Sequence, residues 1–573
     1  MSGNSFDPFG DLGSSISKGW KMGKWGYQLG RNWRAKRIRA QVEAEYGPEV
    51  GEAVEAAVRS GRDPSTILER AKRAKADADT RADMLANPPA LHGSADWATR
   101  EELGPFLKER DGFDTPSSIL LGGYFEEGEP ARFIHWDEDG HLLTLAPTRS
   151  GKAQTVIIPN LLRFRGSCIV LDPKGELFAA TSAWRAENVG PVYRWAPFED
   201  DTSPLPRHGF NPLAQIRSEA DARSLAEQLF PRDPRAPDFF TEDAVSFLTA
   251  LILFVLHKVP EDRRNLSQVF KLASLPLPTF MALLKERLAV SGIPTVEAAA
   301  INVLGKSADR GIPNLRDTLN AKIARWSSPP LLASLARHDF DFGGLKDRPA
   351  TIYLDIPFDM MQPYAPVLRV VLKAALDAML ANKAKPIIPV LFVLDEFLQL
   401  GPFPEFRNAI RTHAGAGIRL WFFLQDIAGI EEHYPDSWKP FFNCSVRQFF
   451  GIDDPFTAKM ISSDFLGTRT VAYRATNSGF NVNAGSSGGS GGASDNSGLS
   501  LSTNESIHFL PRPLMTPEEV MRELSGWKGD GIRRGIISMR GVVPFKVHLV
   551  VHGKSDVCRQ RLGMWTGDNG VGN

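Results

Sequence analysis

Two short stretches carry the residue types that phosphate chemistry needs. The first is Leu142-Leu-Thr-Leu-Ala-Pro-Thr-Arg-Ser-Gly151-Lys152-Ala153. An apolar run, a tight turn ending in Gly-Lys and a helical stretch from Gln154 to Leu162 make the build of a P-loop. In such a loop the backbone N–H groups of Thr148, Arg149, Ser150, Gly151, Lys152 and Ala153, with the positive helix N-terminus, cradle phosphates. Lys152 reaches the terminal phosphates, and at a loop tip no other role is expected of it. The pattern departs from the usual one at both ends. Ala146 stands where the first glycine falls, and Ala153 stands where a Ser or Thr normally holds Mg²⁺.

The second stretch is Pro386-Ile-Ile-Pro-Val-Leu-Phe-Val-Leu394, followed at once by Asp395-Glu396. A continuous apolar run fits a strand covered on both faces, as in a parallel sheet. Its carboxyl end is where open α/β sheets place their ligands. There Asp395 can hold Mg²⁺, directly or through water, and Glu396 can orient and polarise an attacking water. With no side-chain oxygen at Ala153, Asp395 and water would carry more of the Mg²⁺ shell. The structural alternative is an acid pair that merely caps the next helix. A third apolar run, Ile418-Arg-Leu-Trp-Phe-Phe-Leu424, ends in Gln425, an amide placed to sense a γ-phosphate or position water. Together these imply an ATP-binding, ATP-hydrolysing site with Mg²⁺, in which Lys152, Glu396 and Gln425 carry the chemistry.

At 573 residues with no net charge, the chain has room for two or three domains, and its overall charge does not announce nucleic acid. Any DNA contact must come from local patches or a channel. Cys168, Cys444 and Cys558 have no metal-ligand spacing and read as small core residues. The longest apolar run, from Ala244 to Leu256, falls short of the ~18–20 residues that span a bilayer.

The buried strands need elements to hold them, and the pattern divides accordingly. Residues 1–42 form a basic and aromatic tail in which Lys18, Lys21, Lys24, Arg31, Arg34, Lys36, Arg37 and Arg39 interleave with Trp20, Trp25, Tyr27 and Trp33. Such a segment suits an anionic membrane surface, a nucleic-acid backbone or an acidic partner. Gly19, Gly23, Gly26 and Gly30 argue against a helix in its first half. Residues 43–88 read as a helical appendage, broken in two at Gly61-Arg-Asp-Pro-Ser. Residues 89–209 hold the first part of a nucleotide-binding domain, with strands at Ile119-Leu-Leu-Gly-Gly123, Arg132-Phe-Ile-His-Trp136 and Ser167-Cys-Ile-Val-Leu-Asp172. The last of these leads into Pro-Lys174-Gly-Glu176, which is either structural or turned toward the nucleotide. Residues 210–345 show helical periodicity throughout and read as an inserted all-α domain. Residues 346–474 return to strands and carry Asp395-Glu396. Residues 475–508 are Gly/Ser-rich and read as a flexible loop. Residues 509–573 complete the nucleotide-binding domain, beginning with a capping box of Thr516 and Glu519.

Several of these stretches together resemble the TraG-type coupling ATPases of type IV secretion and conjugation. The matching pieces are His92-Gly-Ser-Ala-Asp-Trp-Ala-Thr, Ala146-Pro-Thr-Arg-Ser-Gly-Lys, Asp172-Pro-Lys-Gly-Glu, Phe210-Asn-Pro-Leu, Phe392-Val-Leu-Asp-Glu-Phe, Gly417-Ile-Arg-Leu-Trp-Phe-Phe-Leu-Gln, Gln448-Phe-Phe-Gly and Arg512-Pro-Leu-Met-Thr-Pro-Glu-Glu-Val-Met, in family order. The resemblance implies an α/β fold: a RecA-like P-loop domain, mostly parallel, with an inserted all-α domain. It implies a homo-hexamer around a channel that delivers DNA with its relaxase, or effector proteins, to the components of a secretion channel. Two other readings remain: a soluble hexameric DNA translocase working without a secretion channel, and a substrate receptor that nucleotide merely switches. Members usually begin with transmembrane helices. Here a separate membrane-anchoring protein or the basic tail is expected to hold the chain at the inner face of the cytoplasmic membrane. Ring ATPases of this fold commonly complete each site with an arginine from the neighbouring subunit, and Arg411, Arg419 and Arg447 are the candidates.

Overall fold

The computed structural model describes residues 24–109, 116–126, 130–200, 202–230, 239–307, 309–484, 497–526, 532–549, 551–562, 564–565 and 571–572. In chain order the principal strands are β1 (Leu107–Lys108), β2 (Ile119–Tyr124), β3 (Arg132–Trp136), β4 (Leu142–Leu145), β5 (Cys168–Asp172), β6 (Val192–Trp195), β7 (Thr351–Asp355), β8 (Val390–Leu394), β9 (Ile418–Leu424), β10 (Val446–Phe450), β11 (Thr468–Ala484), β12 (Ser497–Pro513), β13 (Arg533–Met539) and β14 (Val542–Leu549). All but β11 and β12 join one sheet in the order β1-β3-β2-β14-β13-β10-β4-β9-β8-β5-β7-β6. The run from β10 to β6 is parallel throughout, and the strands from β13 outward to β1 add antiparallel.

The inner parallel strands β4, β5, β7, β8 and β9 are buried along their whole length because both faces are covered, which is why they read as largely apolar runs. Side chains alternate between the faces. Leu143, Leu145, Ile169, Leu171, Phe392, Leu394 and Phe422 enter one core, and Leu142, Val170, Leu391, Val393, Trp421 and Phe423 enter the other. Between β6 and β7 the described residues contain helices and no strand. The largest of these helices, Phe239–Lys258, packs Phe247, Leu248 and Leu251 into the same core as Leu171 and Phe392. The described residues of 210–345 thus hold helices and no strand, and they share an apolar core with one sheet face.

The sheet is knitted beneath the P-loop by polar groups with partners at every step. Trp421 Nε1 donates to Thr144 Oγ1 (2.9 Å), Thr144 Oγ1 to Gln448 Oε1 (3.1 Å), and Gln448 Nε2 to the Leu121 carbonyl (3.0 Å). Such a chain fixes strand register in a low-dielectric interior. Arg185, fully buried, donates to the Leu161, Phe164 and Gly166 carbonyls and to Thr351 Oγ1. It thereby ties the end of the P-loop helix to β7.

The chain divides into two compact units. One holds residues up to Ser94 together with Thr468–Arg512, and the other holds Ala95–Gly467 and Pro513–Asn573. The second contains the sheet, so the sheet unit begins at Ala95 rather than at residue 89. In the first unit, helix Lys24–Tyr46 runs across the expected boundary at 42/43, and Gly26 and Gly30 do not break it. Arg39 anchors it by donating to Glu43, Glu52 and Glu55. Helices Pro48–Ser60 and Ser65–Ala86 follow, separated at Gly61, whose φ of 74° forms a left-handed cap. Lys18, Lys21 and Trp20 lie outside the described residues.

The expectation of a flexible loop over 475–508 is corrected at both ends. β11 and β12 pair as a two-stranded ribbon that carries through Ala484 and resumes at Ser497; residues 485–496 lie outside the described residues. The β-branched and aromatic start, Thr468-Arg-Thr-Val-Ala-Tyr473, favours extension. Main-chain pairing then needs no apolar side chain, so a polar composition does not by itself forbid it.

Candidate nucleotide site

β4 delivers the P-loop to the carboxyl edge of the sheet between β10 and β9. Ala146 extends the ladder by one bond, from its N–H to the Leu424 carbonyl (2.8 Å). The chain then turns through Arg149 at φ 62° and Gly151 at φ 86°. Left-handed residues alternating with right-handed ones gather N–H groups into an anion-binding concavity. A helix follows immediately, opening as a wide π turn over Ala153–Ile157 and continuing over Ile158–Leu161. Gly451, just past β10, crowds this loop: a Cβ there would stand 2.7 Å from Ser150 Cβ. The glycine of Gln448-Phe-Phe-Gly is therefore a packing requirement of the P-loop.

β8 ends opposite. Asp395 and Glu396 are both buried, and Glu396 lies in the left-handed region at φ 54°. Arg149 and Glu396 are the two non-glycine residues with positive φ among the described residues. Strain of this kind gathers at functional sites. Lys152, 7% exposed, donates from Nζ to Glu396 Oε1 at 2.8 Å and lies 3.2 Å from Asp395 Oδ1. Gln425 closes the arrangement. Its Nε2 donates to Glu396 Oε2, and its Oε1 accepts from Thr148 Oγ1 at 2.9 Å. A continuous polar chain thus runs Thr148–Gln425–Glu396–Lys152–Asp395, across three adjacent parallel strands.

The electrostatics follow from that burial. Burial lowers the Lys152 ammonium, but Asp395 and Glu396 together outweigh it and leave the pKa raised. Burial raises Asp395; Lys152 opposes this and Glu396 reinforces it, and the net direction is up. The residues for Mg²⁺ fit a hard cation. The carboxylate oxygens of Asp395 and Glu396 face the P-loop, and the buried Ser150 Oγ has no hydrogen-bond partner in the structure.

Further acids stand at the same sheet edge, and sequence reasoning gave them little weight. Asp172 and Asp355 are paired in register at the ends of β5 and β7. Asp172 accepts from the Phe178 N–H (2.8 Å), and burial, with Asp355 beside it, pushes its carboxyl up to about 7. Arg194 donates to Asp355 Oδ2 (2.6 Å) and to Glu199. Asp172-Pro-Lys-Gly-Glu therefore caps helix Glu176–Asn188 through Asp172 and places Lys174 close enough to lower Asp395 slightly.

The three arginines separate clearly. Arg419 is 1% exposed at the amino end of β9, at the opposite edge from Gln425. It donates to the Ser117 and Glu138 carbonyls and stacks over Trp136. It cannot reach a neighbouring subunit, so its candidacy as a trans-acting arginine is withdrawn. Arg447 is occupied by Ser538, the Phe442 carbonyl and the Phe465 ring. Arg411 is exposed at the end of helix Pro404–Thr412.

A family model described as Type IV secretory system Conjugative DNA transfer matches residues 101–548, most of the chain. The chain belongs to this family. Among relatives of the chain, VirD4 of Rhizobium radiobacter is 28% identical over 67% of the chain, which spans 56% of VirD4. TraG of Escherichia coli is 24% identical over 75% of the chain and 71% of its own length. The chain thus spans little more than half the length of the VirD4 relative. Two solved structures share the fold. The bacterial conjugative coupling protein TrwBΔN70 with sulphate has a TM-score of 0.51 at 15% identity, covering 72% of this chain and 85% of that one. The plasmid coupling protein TrwB with ADP and Mg²⁺ has a TM-score of 0.50 at 16% identity, with the same coverage. The fold is α/β and RecA-like, with a mostly parallel sheet.

Proposed function

We propose that this family member is an ATP-hydrolysing coupling protein that delivers DNA–protein or protein substrates to a type IV secretion channel. The observation that carries the reading is the series of hydrogen bonds from Thr148 through Gln425 and Glu396 to Lys152. It joins a phosphate-binding loop after β4 to an acid at the end of β8, across the intervening β9, the arrangement that phosphoryl transfer to water needs. Lys152 and the N–H groups of residues 148–153 hold the phosphates. Asp395, with Glu396 beside it, would hold Mg²⁺, which offsets charge on the transferred phosphoryl group. Glu396 takes up proton density from the attacking water, and Gln425 orients that acid against the P-loop. Phosphates compete with Glu396 for the Lys152 ammonium, so binding releases Glu396 for its second task. TrwB, which shares the fold, has been solved with ADP and Mg²⁺, and this supports the same pair of ligands here.

The assembly proposed is a homo-hexamer, with residues 95–209, 346–467 and 513–573 forming the nucleotide-binding domain, 210–345 an all-α domain and Arg411 the arginine offered in trans. Steady-state ATP hydrolysis, with and without single-stranded DNA, across a dilution series tests the whole reading. Turnover should rise with DNA and fall on dilution through the oligomer's dissociation range. Absence of hydrolysis under all these conditions would reduce the protein to a nucleotide-switched receptor.

The proposed location is peripheral, at the inner face of the cytoplasmic membrane, held by a membrane-embedded partner of the secretion machine. No helix among the described residues is long and apolar enough to cross a membrane. Trp33 is 68% exposed beside Arg37, which supports contact with an anionic surface, whereas Arg39 is engaged by acids of its own unit. Liposome flotation of the full chain, and of a version lacking residues 1–42, at low and high salt tests the lipid part. Equal behaviour of the two would exclude the tail from attachment.

A further inference from the structure

A second cleft, of about 240 Å³, lies beside the segment that follows Glu396. Arg325, Arg369 and His433 line it with the amide side chains of Gln362 and Gln399, and no carboxylate lines it. Arg325 comes from the all-helical stretch, on the turn Ala324–Trp326 that the buried Trp326 anchors. Arg369 comes from helix Ala365–Ala381, whose N-terminus also faces the cleft through Ala365 and Pro366. Arg369 is fixed by its Nη1 donating to the Leu400 carbonyl at 2.8 Å. Burial depresses its guanidinium; Glu405 and Tyr434 oppose this, and the nearby Arg325 depresses it further. Two guanidinium groups that repel one another in a concave site, with no acid in its wall, create a standing demand for an anion. Their planar forks match phosphate oxygens, and the neighbouring amides suit phosphate or sugar oxygens.

The cleft is wired to the hydrolytic residues by two short paths. One wall is residues 398–401, on and just after the 3₁₀ turn Phe397–Leu400 that begins immediately after Glu396. Gln399 N–H is bonded to the Glu396 carbonyl at 3.0 Å. The other is His433, the last residue of helix Ile427–His433, which begins two residues after Gln425 and is capped by Asp426. The two walls are tied together at the far side, where Phe403 N–H donates to the Tyr434 hydroxyl at 3.0 Å. Glu396, held at φ 54°, and Gln425 are thus each joined to a wall of the cleft by one short segment of main chain.

We propose that this cleft seats a phosphodiester group of nucleic acid and passes its presence to Glu396 and Gln425, so that cargo contact sets the rate of ATP turnover. The inference rests on the reading of the chain as a DNA-delivering ATPase. Among anionic macromolecules the fork-and-amide wall favours phosphodiester over an acidic protein segment, whose carboxylates would ask less of the amides.

The test uses the full-length protein, labelled single-stranded and duplex oligonucleotides, and Arg325→Glu with Arg325→Lys as the conservative control. Arg325 is chosen because it sits on the cleft wall outside the hydrolytic cluster, and thermal melting checks that both variants are folded. Arg325→Glu should weaken oligonucleotide binding at least about tenfold at low salt. It should flatten the slope of log affinity against log salt by about 0.7–0.9 for each phosphate that is no longer neutralised, with Arg325→Lys staying near wild type. At saturating oligonucleotide, Arg325→Glu should lose the DNA-dependent increment in ATP turnover. Unchanged affinity and slope in Arg325→Glu would overturn the site while leaving the broader function standing. A wild-type protein that binds no nucleic acid at any salt would instead sink the DNA-delivery reading itself. A polyglutamate peptide whose binding is abolished in Arg325→Glu, with oligonucleotide binding intact, would overturn the phosphodiester assignment in favour of an acidic protein segment. Full stimulation at saturation in Arg325→Glu would overturn the coupling to Glu396.

Discussion

Lys152 donates its ammonium to the acid proposed to polarise the attacking water, Glu396, at 2.8 Å. The lysine of the P-loop is therefore part of a buried charge cluster, and a loop-tip residue with no other role is the wrong picture of it. Removing one member of a buried, hydrogen-bonded pair leaves the other charge uncompensated, a loss of about 3–5 kcal/mol. Lys152→Ala should abolish nucleotide binding and also lower stability in urea unfolding. Adding Glu396→Gln to Lys152→Ala should restore part of that stability, because the stranded carboxylate is gone. Wild-type turnover in Lys152→Ala would overturn the site, and strictly additive stability losses would show that the two residues are not coupled.

Glu396→Gln keeps the shape and removes the proton acceptor. Nucleotide binding should survive while turnover falls roughly 10²–10⁴-fold, the range expected of a positioned acid–base group. Gln425→Ala breaks the link from Thr148 to Glu396. Hydrogen bonds to charged groups are worth about 1.5–3 kcal/mol, so turnover should drop by roughly ten- to a hundredfold with the affinity for nucleotide little changed. Single-turnover and equilibrium nucleotide-binding measurements separate these outcomes. Normal hydrolysis by Glu396→Gln would make that residue structural.

The parts of this site visible in the sequence were those built from local pattern. β5, β7, β8 and β9 are sandwiched between two apolar cores, so each prints a largely apolar run with its chemistry at the carboxyl end. Asp395, Glu396 and Gln425 were legible for that reason. The order of the strands was not, because parallel neighbours such as β5 and β7 are separated by the whole helical insertion. Arg185 and Arg194 were equally silent, since their meaning lies in groups remote in the sequence, such as the Thr351 hydroxyl and the Asp355 carboxylate. The same limit misassigned Arg419, whose partners at Ser117 and Glu138 lie 302 and 281 residues away.

Arg419 now carries a different expectation. Burial lowers its guanidinium to about 10, yet it retains two carbonyl acceptors and the Trp136 face. Arg419→Ala removes a large buried side chain and leaves the Ser117 and Glu138 carbonyls without their donor, a loss of about 2–4 kcal/mol. Mixing Arg419→Ala subunits with wild type should lower turnover only in proportion to unfolded protein. Mixing in Arg411→Ala, if Arg411 acts in trans, should poison neighbouring wild-type sites more than proportionally. A disproportionate effect from Arg419→Ala with unchanged melting would reverse the assignment.

The strand-end acid Asp172 predicts a pH dependence of opposite sign to that of most carboxylates. Burial, reinforced by Asp355, raises its carboxyl from the ordinary 3.8 to about 7, although the Phe178 N–H pulls the other way. Between those values the folded state binds a proton that the unfolded state has released. Stability must then fall as pH rises from about 4 to about 7, by up to roughly 1.4 kcal/mol per pH unit, and flatten above. Asp172→Asn keeps an oxygen for the Phe178 N–H and cannot ionise, so it should remove this slope. Relative to wild type it should gain stability as pH rises toward 7, with the difference constant beyond. Urea unfolding of both proteins at pH 5, 6, 7 and 8 decides the matter. Parallel profiles would mean that Asp172 stays ionised in the fold, and that the acid edge of β5 and β7 is balanced by cations such as Arg194 and Lys174 more fully than its burial implies.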